Sequence, residues 1–204
     1  MKKRILYLVL LLSSLLAFHF GTGYAAKNKT AAKTAAAKQV TQPLKVGFDV
    51  DDTLLFSSPA FEQGFKSGAK GFSKEFWEVV NMSDRKYSGV KKKTESIVKD
   101  LLKSGSEVYV ITARESHKGE GLKDFLHDRM GIKKENIYFA SKGKAELMKK
   151  LGITVFYGDS DSDISDAQAA GAKGIRIQRS EKSSYKNKYN PGSLGEEIVQ
   201  DSAE

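Results

Sequence analysis

Cysteine is absent from the 204-residue sequence. No disulfide can therefore stabilise the fold, and no lipid can be attached to the chain through a cysteine. Hydrophobic residues make up 40% of the sequence and charged residues 29%, so a hydrophobic core can form and disorder throughout is excluded. The length is about that of one domain, which must draw its stability from this core.

Acidic residues are absent from positions 1–45, which contain eight of the 34 lysines and arginines. The remaining 26 basic residues are matched by 25 acidic ones, so positions 46–204 have a net charge of only +1. The overall charge of +9 is thus a property of the N-terminal segment. Because the rest of the chain is almost neutral, we expect no nucleic-acid polymer as a partner.

The N-terminus also lacks an uninterrupted apolar run of the length that spans a membrane. The basic segment Met1–Arg4 precedes the apolar run Ile5–Phe20, which contains two serines and a histidine, and the small residues of Gly21–Ala26 follow. This order is typical of a secretory signal peptide, and an uncleaved membrane anchor is the alternative. Gly23 and Ala25 fit the cleavage-site positions, so we expect a signal peptide over residues 1–25 and no stable membrane anchor.

Residues 26–43 are rich in alanine, lysine and threonine and have no apolar face. A flexible linker is the simpler interpretation, and an adhesive segment for anionic envelope surfaces is the alternative. We expect one globular domain at residues 44–204. Within it, an insert at about residues 61–87 is rich in aromatic side chains and is interpreted as a small helical cap.

Short apolar strands alternate with helical stretches from residue 44 onward. The predicted strands are Leu44–Phe48, Val108–Ile111, Ile137–Ala140, Ile153–Tyr157 and Gly174–Ile177. Helical periodicity is found in Val90–Leu102, Gly121–Met130, Ala145–Leu151 and Ile164–Ala170. This alternation predicts an α/β fold of βαβ units around a parallel sheet, which binds ligands at the carboxyl ends of its strands.

Acidic residues cluster after two of the predicted strands. Asp49 and Asp51 follow the first strand, and Asp159 and Asp163 follow the fourth, where they are four positions apart. An isolated acidic residue at the start of a helix is most often a helix cap. Two clusters at neighbouring strand ends, however, form a set of oxygen ligands suited to Mg²⁺, and without a cation they would repel one another.

Two weaker signals accompany the carboxylates. Thr112 follows the second predicted strand, where its hydroxyl can meet a phosphate oxygen, and Lys144 begins the helix before the fourth. Each residue also has an ordinary structural explanation: a local turn for the threonine and a solvated side chain for the lysine.

Taken in chain order, these motifs resemble the phosphohydrolases of the haloacid dehalogenase (HAD) superfamily over essentially all of residues 44–200. The sequence is more closely similar to the class B bacterial acid phosphatases of the periplasm, on the runs Phe48–Phe61, Phe156–Ile164 and Gly195–Val199. That family usually has glycine where this chain has Ala113. Because the position supplies only a backbone amide, we expect the difference to have little effect.

The resemblance implies a HAD-like Rossmannoid three-layer sandwich with a small helical cap. It implies that Asp49 is the nucleophile that forms an aspartyl-phosphate and that Asp51 is the general acid and then the base. The Mg²⁺ ligands would be Asp49, the carbonyl of Asp51 and Asp159, with Asp163 contributing either directly or through a water molecule. The phosphate would be held by Thr112, the amide of Ala113 and Lys144.

An apolar pocket for the organic group of the substrate is implied at Phe61, Trp77 and Tyr185, and packing in the core of the cap is the alternative for these side chains. The resulting hypothesis is a secreted, periplasmic, Mg²⁺-dependent acid phosphatase acting on small organic phosphomonoesters such as nucleotides and aryl phosphates. The resemblance also implies a homotetramer. A phosphotransferase to nucleoside or alcohol acceptors is one alternative, and a non-catalytic HAD scaffold that binds the envelope is another.

The signal-peptide assignment makes a prediction about the mature protein. Exported by a bacterial host, the protein is expected to begin at Ala26, because Gly23 and Ala25 fit the cleavage-site positions; cleavage one residue later, after Ala26, is the alternative. Either cleavage leaves every proposed site residue in place. N-terminal sequencing of the exported protein measures this, and the chain expressed without residues 1–25 should be soluble and active. An exported protein that still begins at Met1 would contradict the assignment.

Overall fold

The computed structural model of the protein describes residues 43–204. The predicted signal peptide and residues 26–42 of the predicted linker lie outside the described residues. Within the described part of the chain, none of the helices combines the length and the apolar character that a membrane span requires.

Residues 43–204 form eight strands, six α-helices and a short 3-10 helix at Lys134–Asn136. In chain order the elements are β1 Lys45–Phe48, β2 Leu55–Phe56, α1 Ser58–Lys66, α2 Lys74–Tyr87, β3 Gly89–Val90, α3 Lys92–Lys103, β4 Glu107–Thr112, α4 Glu120–Met130, β5 Ile137–Phe139, α5 Ala145–Leu151, β6 Val155–Gly158, α6 Asp161–Ala169, β7 Lys173–Ile177 and β8 Glu197–Val199.

Six of these strands form one parallel sheet in the order β5-β4-β1-β6-β7-β8. Alternate residues of a strand point to opposite faces, and both faces of this sheet are buried. On one face Phe48 packs in a cluster with side chains of α3 and α4, such as Leu126. On the other face Phe156 packs with Met148 of α5 and Ala167 of α6. The predicted α/β sandwich of three layers is therefore confirmed.

The segment after β1 forms a small unit over residues 55–90, which we call the cap. It consists of the antiparallel pair β2 and β3 and of helices α1 and α2, which span most of the predicted insert. Pro59 lies in the first turn of α1, and the Ser73 side chain caps α2 by accepting a hydrogen bond from the Phe76 amide. Phe76 and Val80 are fully buried between the two helices.

The prediction that Val90 belongs to the helix before the second strand is wrong. Val90 pairs with Leu55 in the β2–β3 hairpin, and α3 begins at Lys92. The intervening residue, Lys91, is extended and buried, and its ammonium donates to the carbonyls of Asp52 at 2.7 Å and Gln178 at 2.6 Å. These distant contacts keep the chain extended where the apolar spacing alone favours a helix.

The edge strand β8 is not predicted by the sequence pattern. It has three residues, none of them buried, so no apolar alternation marks it. The preceding Glu196 accepts a hydrogen bond from Nε of the buried Arg176 at 2.7 Å, and Arg176 also donates to the carbonyl of Asp159 at 2.7 Å. The last strand is thus tied to the carboxyl end of β6.

Candidate active site

Three buried carboxylates meet at the carboxyl end of the sheet. Asp49 follows β1, Asp159 follows the neighbouring strand β6, and Asp163 lies in the first turn of α6. One oxygen of each side chain lies within 4.8 Å of one oxygen of the others. We call these three residues the carboxylate cluster. The strand order brings together two acidic motifs that are more than a hundred positions apart in the sequence.

The ammonium of Lys144 lies against this cluster. Its Nζ donates to Oδ1 of Asp49 at 2.5 Å and to Oδ1 of Asp163 at 2.7 Å. Lys144 is the N-cap residue of α5, and its amide donates to Asp166 of α6 at 3.0 Å, which fixes the start of one helix against the other. The solvated interpretation of Lys144 is excluded, since the side chain is buried.

The pKa values of the cluster show how strongly burial acts on it. Burial raises the pKa of Asp49 well above its ordinary value, although Lys144 opposes the shift. Burial, with the neighbouring Asp163, raises the pKa of Asp159 to about 7. The pKa of Lys144 is raised because Asp163 and Asp49 together outweigh the effect of burial. The site therefore favours positive charge and resists negative charge.

A divalent cation would relieve this unfavourable charge. Lys144 and Arg179 supply two positive charges to three carboxylates, and Nε of Arg179 donates to Oδ2 of Asp159 at 2.6 Å. Converging carboxylate oxygens are the ligands of hard cations such as Mg²⁺. The carboxylate cluster thus has the donor chemistry for a metal ion.

Asp163 is both a helix cap and a member of the cluster. Its Oδ2 accepts hydrogen bonds from the Ser160 amide at 3.1 Å and hydroxyl at 2.7 Å, while Ser160 caps α6 through the Asp163 amide. Its other oxygen, Oδ1, is the one that contacts Lys144. The two carboxylate oxygens make different contacts. Asp163 can therefore cap the helix with one oxygen and offer the other to a metal ion.

Asp51 lies apart from the cluster and is held by a different cation. Nε and one terminal nitrogen of Arg114 donate to its carboxylate, the shortest contact being 2.6 Å. Burial raises the pKa of Asp51, but Arg114 outweighs it and the net shift is downward. The side chain of Asp51 is 30% exposed and that of Asp49 is 8% exposed. Of the two carboxylates in this motif, that of Asp51 is thus the more accessible to solvent.

Thr112 and Ala113 lie at the same edge of the sheet, because β4 is the other neighbour of β1. The Thr112 hydroxyl accepts a hydrogen bond from the Arg114 amide at 3.3 Å, so the turn expected from sequence is present. Thr112 is buried and Ala113 is exposed.

The three aromatic residues predicted for a substrate pocket lie in different surroundings. The ring centroid of Phe61 is 5.5 Å from Cζ of Arg114, and that of Tyr185 is 5.1 Å from Cζ of Arg179. Each ring therefore contacts an arginine that holds a site carboxylate. Trp77 is only 8% exposed and packs edge-on against Phe61 in the cap, as the packing alternative describes.

Sequence reasoning missed the two arginines that neutralise the carboxylates. Arg114 comes two residues after the end of β4, and Arg179 two residues after the end of β7. Both are buried, and both occupy the edge of the sheet where the acidic motifs were found. A basic residue just beyond a predicted strand was the available signal.

Comparison with known proteins shows which family this chain resembles. Residues 15–188 match the family model described as HAD superfamily, subfamily IIIB (acid phosphatase). The class B acid phosphatase of Rahnella sp. (strain Y9602) is 38% identical over 170 residues, which cover 77% of this chain and 72% of that protein. The class B acid phosphatase of Edwardsiella ictaluri is 41% identical over 171 residues, covering 77% of this chain and 71% of the relative.

Solved structures with low identity support the fold. A predicted phosphoglycolate phosphatase from Haemophilus somnus superposes with a TM-score of 0.57 at 16% identity, over 80% of this chain and 96% of that one. A HAD family hydrolase from Deinococcus radiodurans, solved with bound phosphate and sodium, gives a TM-score of 0.51 at 16% identity. That alignment covers 77% of this chain and 91% of the hydrolase.

The close approach of Asp163 to β6 depends on Gly158. A Cβ at position 158 would lie 2.3 Å from Cβ of Asp163, so Gly158→Ala must push Asp163 out of the cluster. We expect this variant to bind Mg²⁺ about tenfold more weakly or worse, as measured by isothermal titration calorimetry.

The matched control is Gly174→Ala on β7. The three atoms nearest to its Cβ would all belong to Ile164 of the same helix, the closest at 3.2 Å, and none of them is a carboxylate atom. We expect the control to keep the Mg²⁺ affinity of the original protein. If Gly158→Ala keeps the Mg²⁺ affinity of the original protein, as the control does, Asp163 does not contribute to cation binding.

Proposed function

The chain belongs to subfamily IIIB of the HAD superfamily, the acid phosphatases, and on that premise we propose that it is an exported, Mg²⁺-dependent phosphatase that works through an aspartyl-phosphate. Phosphomonoesterase activity follows from the family. One observation supports the proposed mechanism above the others: a buried carboxylate, Asp49, lies at the carboxyl end of the central strand in direct contact with the buried ammonium of Lys144.

Asp49 is the proposed nucleophile. One of its carboxylate oxygens attacks phosphorus while the bond between phosphorus and the ester oxygen breaks, and the phosphoryl group becomes bonded to Asp49. Lys144 is already within 2.5 Å of Asp49 and offers a positive charge to the incoming phosphate oxygens. The Thr112 hydroxyl and the Ala113 amide are the proposed neutral donors to the same phosphate.

Asp51 is the proposed proton carrier. In the first step it gives a proton to the departing ester oxygen, and in the second it takes a proton from the water that attacks the aspartyl-phosphate. Arg114 keeps the Asp51 pKa low before substrate arrives. A bound phosphate adds negative charge nearby and so raises the pKa of Asp51 toward the value an acid needs.

The proposed Mg²⁺ ligands are the carboxylates of Asp49, Asp159 and Asp163 and the carbonyl of Asp51. When bound, the ion would offset the repulsion between the Asp49 carboxylate and the anionic phosphate. Arg179 holds the carboxylate of Asp159, and Lys144 holds that of Asp163, so both proposed ligands have a fixed position in the site.

The proposed substrates are small organic phosphomonoesters, including nucleotides and aryl phosphates. Phe61 and Tyr185 support this part, because their rings flank the arginines at the site and offer apolar surface to an organic group. Export to the periplasm is supported by the order of basic, apolar and small residues at positions 1–25. Assembly as a homotetramer stays a prediction.

Chelation tests the metal requirement. We expect the protein to hydrolyse p-nitrophenyl phosphate, to lose this activity after exhaustive treatment with EDTA, and to recover it with Mg²⁺, since the buried carboxylates need a cation to accept an anionic substrate. Released p-nitrophenolate is the measurement. The Asp49→Asn variant should be inactive with metal present. Full activity after chelation would overturn the metal proposal, and an active Asp49→Asn variant would overturn the nucleophile.

The effect of the leaving group on the rate distinguishes the proposed role of Asp51 from that of Asp49. In Asp51→Asn, the first step should slow by about 10²–10⁴-fold for a nucleoside monophosphate, whose alkoxide leaves poorly without a proton. It should slow far less for p-nitrophenyl phosphate, whose phenolate is stable. A single-turnover burst of released alcohol measures this step without the later hydrolysis. An equal slowdown for both substrates would exclude Asp51 as the general acid.

A further inference from the structure

One buried guanidinium, that of Arg114, joins the cap to the carboxyl end of the sheet. Its Nε donates to both oxygens of Asp51, at 3.1 and 3.2 Å. One terminal nitrogen donates to Asn81 at 3.2 Å and to Asp84 at 2.5 Å, and the other to Asp51 at 2.6 Å and to Asp84 at 3.2 Å. Each of the five N–H groups thus has an acceptor, and the orientation of the guanidinium is fixed.

Asp84 is the cap's charged contribution to this arrangement. It lies on α2, is fully buried, and receives one further hydrogen bond from the Ser88 hydroxyl at 2.6 Å. Within residues 43–204, Arg114 is its one ion-pair partner. A buried ion pair is seldom worth more to stability than well-packed apolar side chains, so its presence here calls for another explanation.

Asn81 lies one turn before Asp84 on the same face of α2 and fixes the backbone that follows Arg114. Its side-chain amide donates to the carbonyls of Glu115 at 3.0 Å and His117 at 2.8 Å. Helix α2 therefore holds both the side chain of Arg114 and the loop from which it projects.

We propose that Asp84 is a positioning residue, which orients Arg114 so that Arg114 holds the Asp51 carboxylate in the direction needed to protonate the leaving oxygen. The inference rests on the proposed function, in which Asp51 is the general acid. Asp84 does not reach the substrate and acts through Arg114. Proton delivery in this protein then depends on the cap as well as on the sheet.

The test compares leaving groups in the Asp84→Asn variant. We expect kcat/KM for a nucleoside monophosphate to fall about 10- to 100-fold. Losing a hydrogen-bonding partner one shell away from an active-site residue commonly has an effect of this size. For p-nitrophenyl phosphate, whose leaving group needs little protonation, we expect a loss of less than about threefold. A purely structural role would lower both values alike. The single-turnover burst should show the same difference.

Asp128→Asn is the matched control. Like Asp84→Asn, it removes a carboxylate that is paired with an arginine. Asp128 pairs with Arg85 of α2 at 2.7 Å, but that pair is exposed, and neither residue contacts Arg114 or Asp51 through a hydrogen bond. We expect both substrates to be hydrolysed as by the original protein.

Ser88→Ala keeps the proposal testable where Asp84→Asn does not fold. This variant retains every charge and removes one hydrogen bond to Asp84, so a smaller loss with the same leaving-group preference is expected. Equal losses for both substrates, or no loss, in the folded variant would overturn the role of Asp84. The proposed function would then still stand, because wild-type turnover and an inactive Asp49→Asn variant establish it separately.

Discussion

The contact of the Lys144 ammonium with Asp49 and Asp163 is the interaction on which the rest of the site depends. Lys144 is 95 positions from Asp49 and 19 positions from Asp163 in the sequence, and all three side chains are buried. Three ionised carboxylates need a cation to share this volume, because burial and mutual repulsion both oppose their charge. The other features serve the same end: Gly158 lets Asp163 approach, Arg179 holds Asp159, and Asp166 fixes the helix that starts at Lys144.

The sheet and the acidic residues could be predicted because their signals are local. Buried parallel strands are short apolar runs, and the acidic motifs stand directly after two of them. The partners of the acids could not be predicted in this way. Arg114 and Asp51 are 63 positions apart, and no spacing rule states which cation neutralises which carboxylate. The edge strand β8 and the β2–β3 hairpin escaped notice because they have three and two residues per strand, too few for a period.

From sequence alone, a structural and a functional explanation of the same residue look like alternatives. In the folded chain, one residue can have both roles. Asp163 caps α6 with one oxygen and contacts Lys144 with the other. Thr112 makes the expected turn with the Arg114 amide at the strand end where its hydroxyl was predicted to meet phosphate. A short polar side chain with several hydrogen-bonding positions can satisfy local backbone and site chemistry together. A structural explanation for such a residue is therefore weak evidence against a functional one.

The central position of β1 has a consequence for how the chain acquires its structure. The first strand in sequence pairs with β4 and β6, whose residues come some 60 and 110 positions later. Asp49 therefore cannot contact Lys144, and β1 cannot pair with its second neighbour β6, until most of the chain is available. Contacts of such long range make folding slow, because the entropy of closing large loops is lost before the contacts form. A chain that ends before β6 lacks Asp159 and Asp163, so the carboxylate cluster can form only once nearly the whole domain is present.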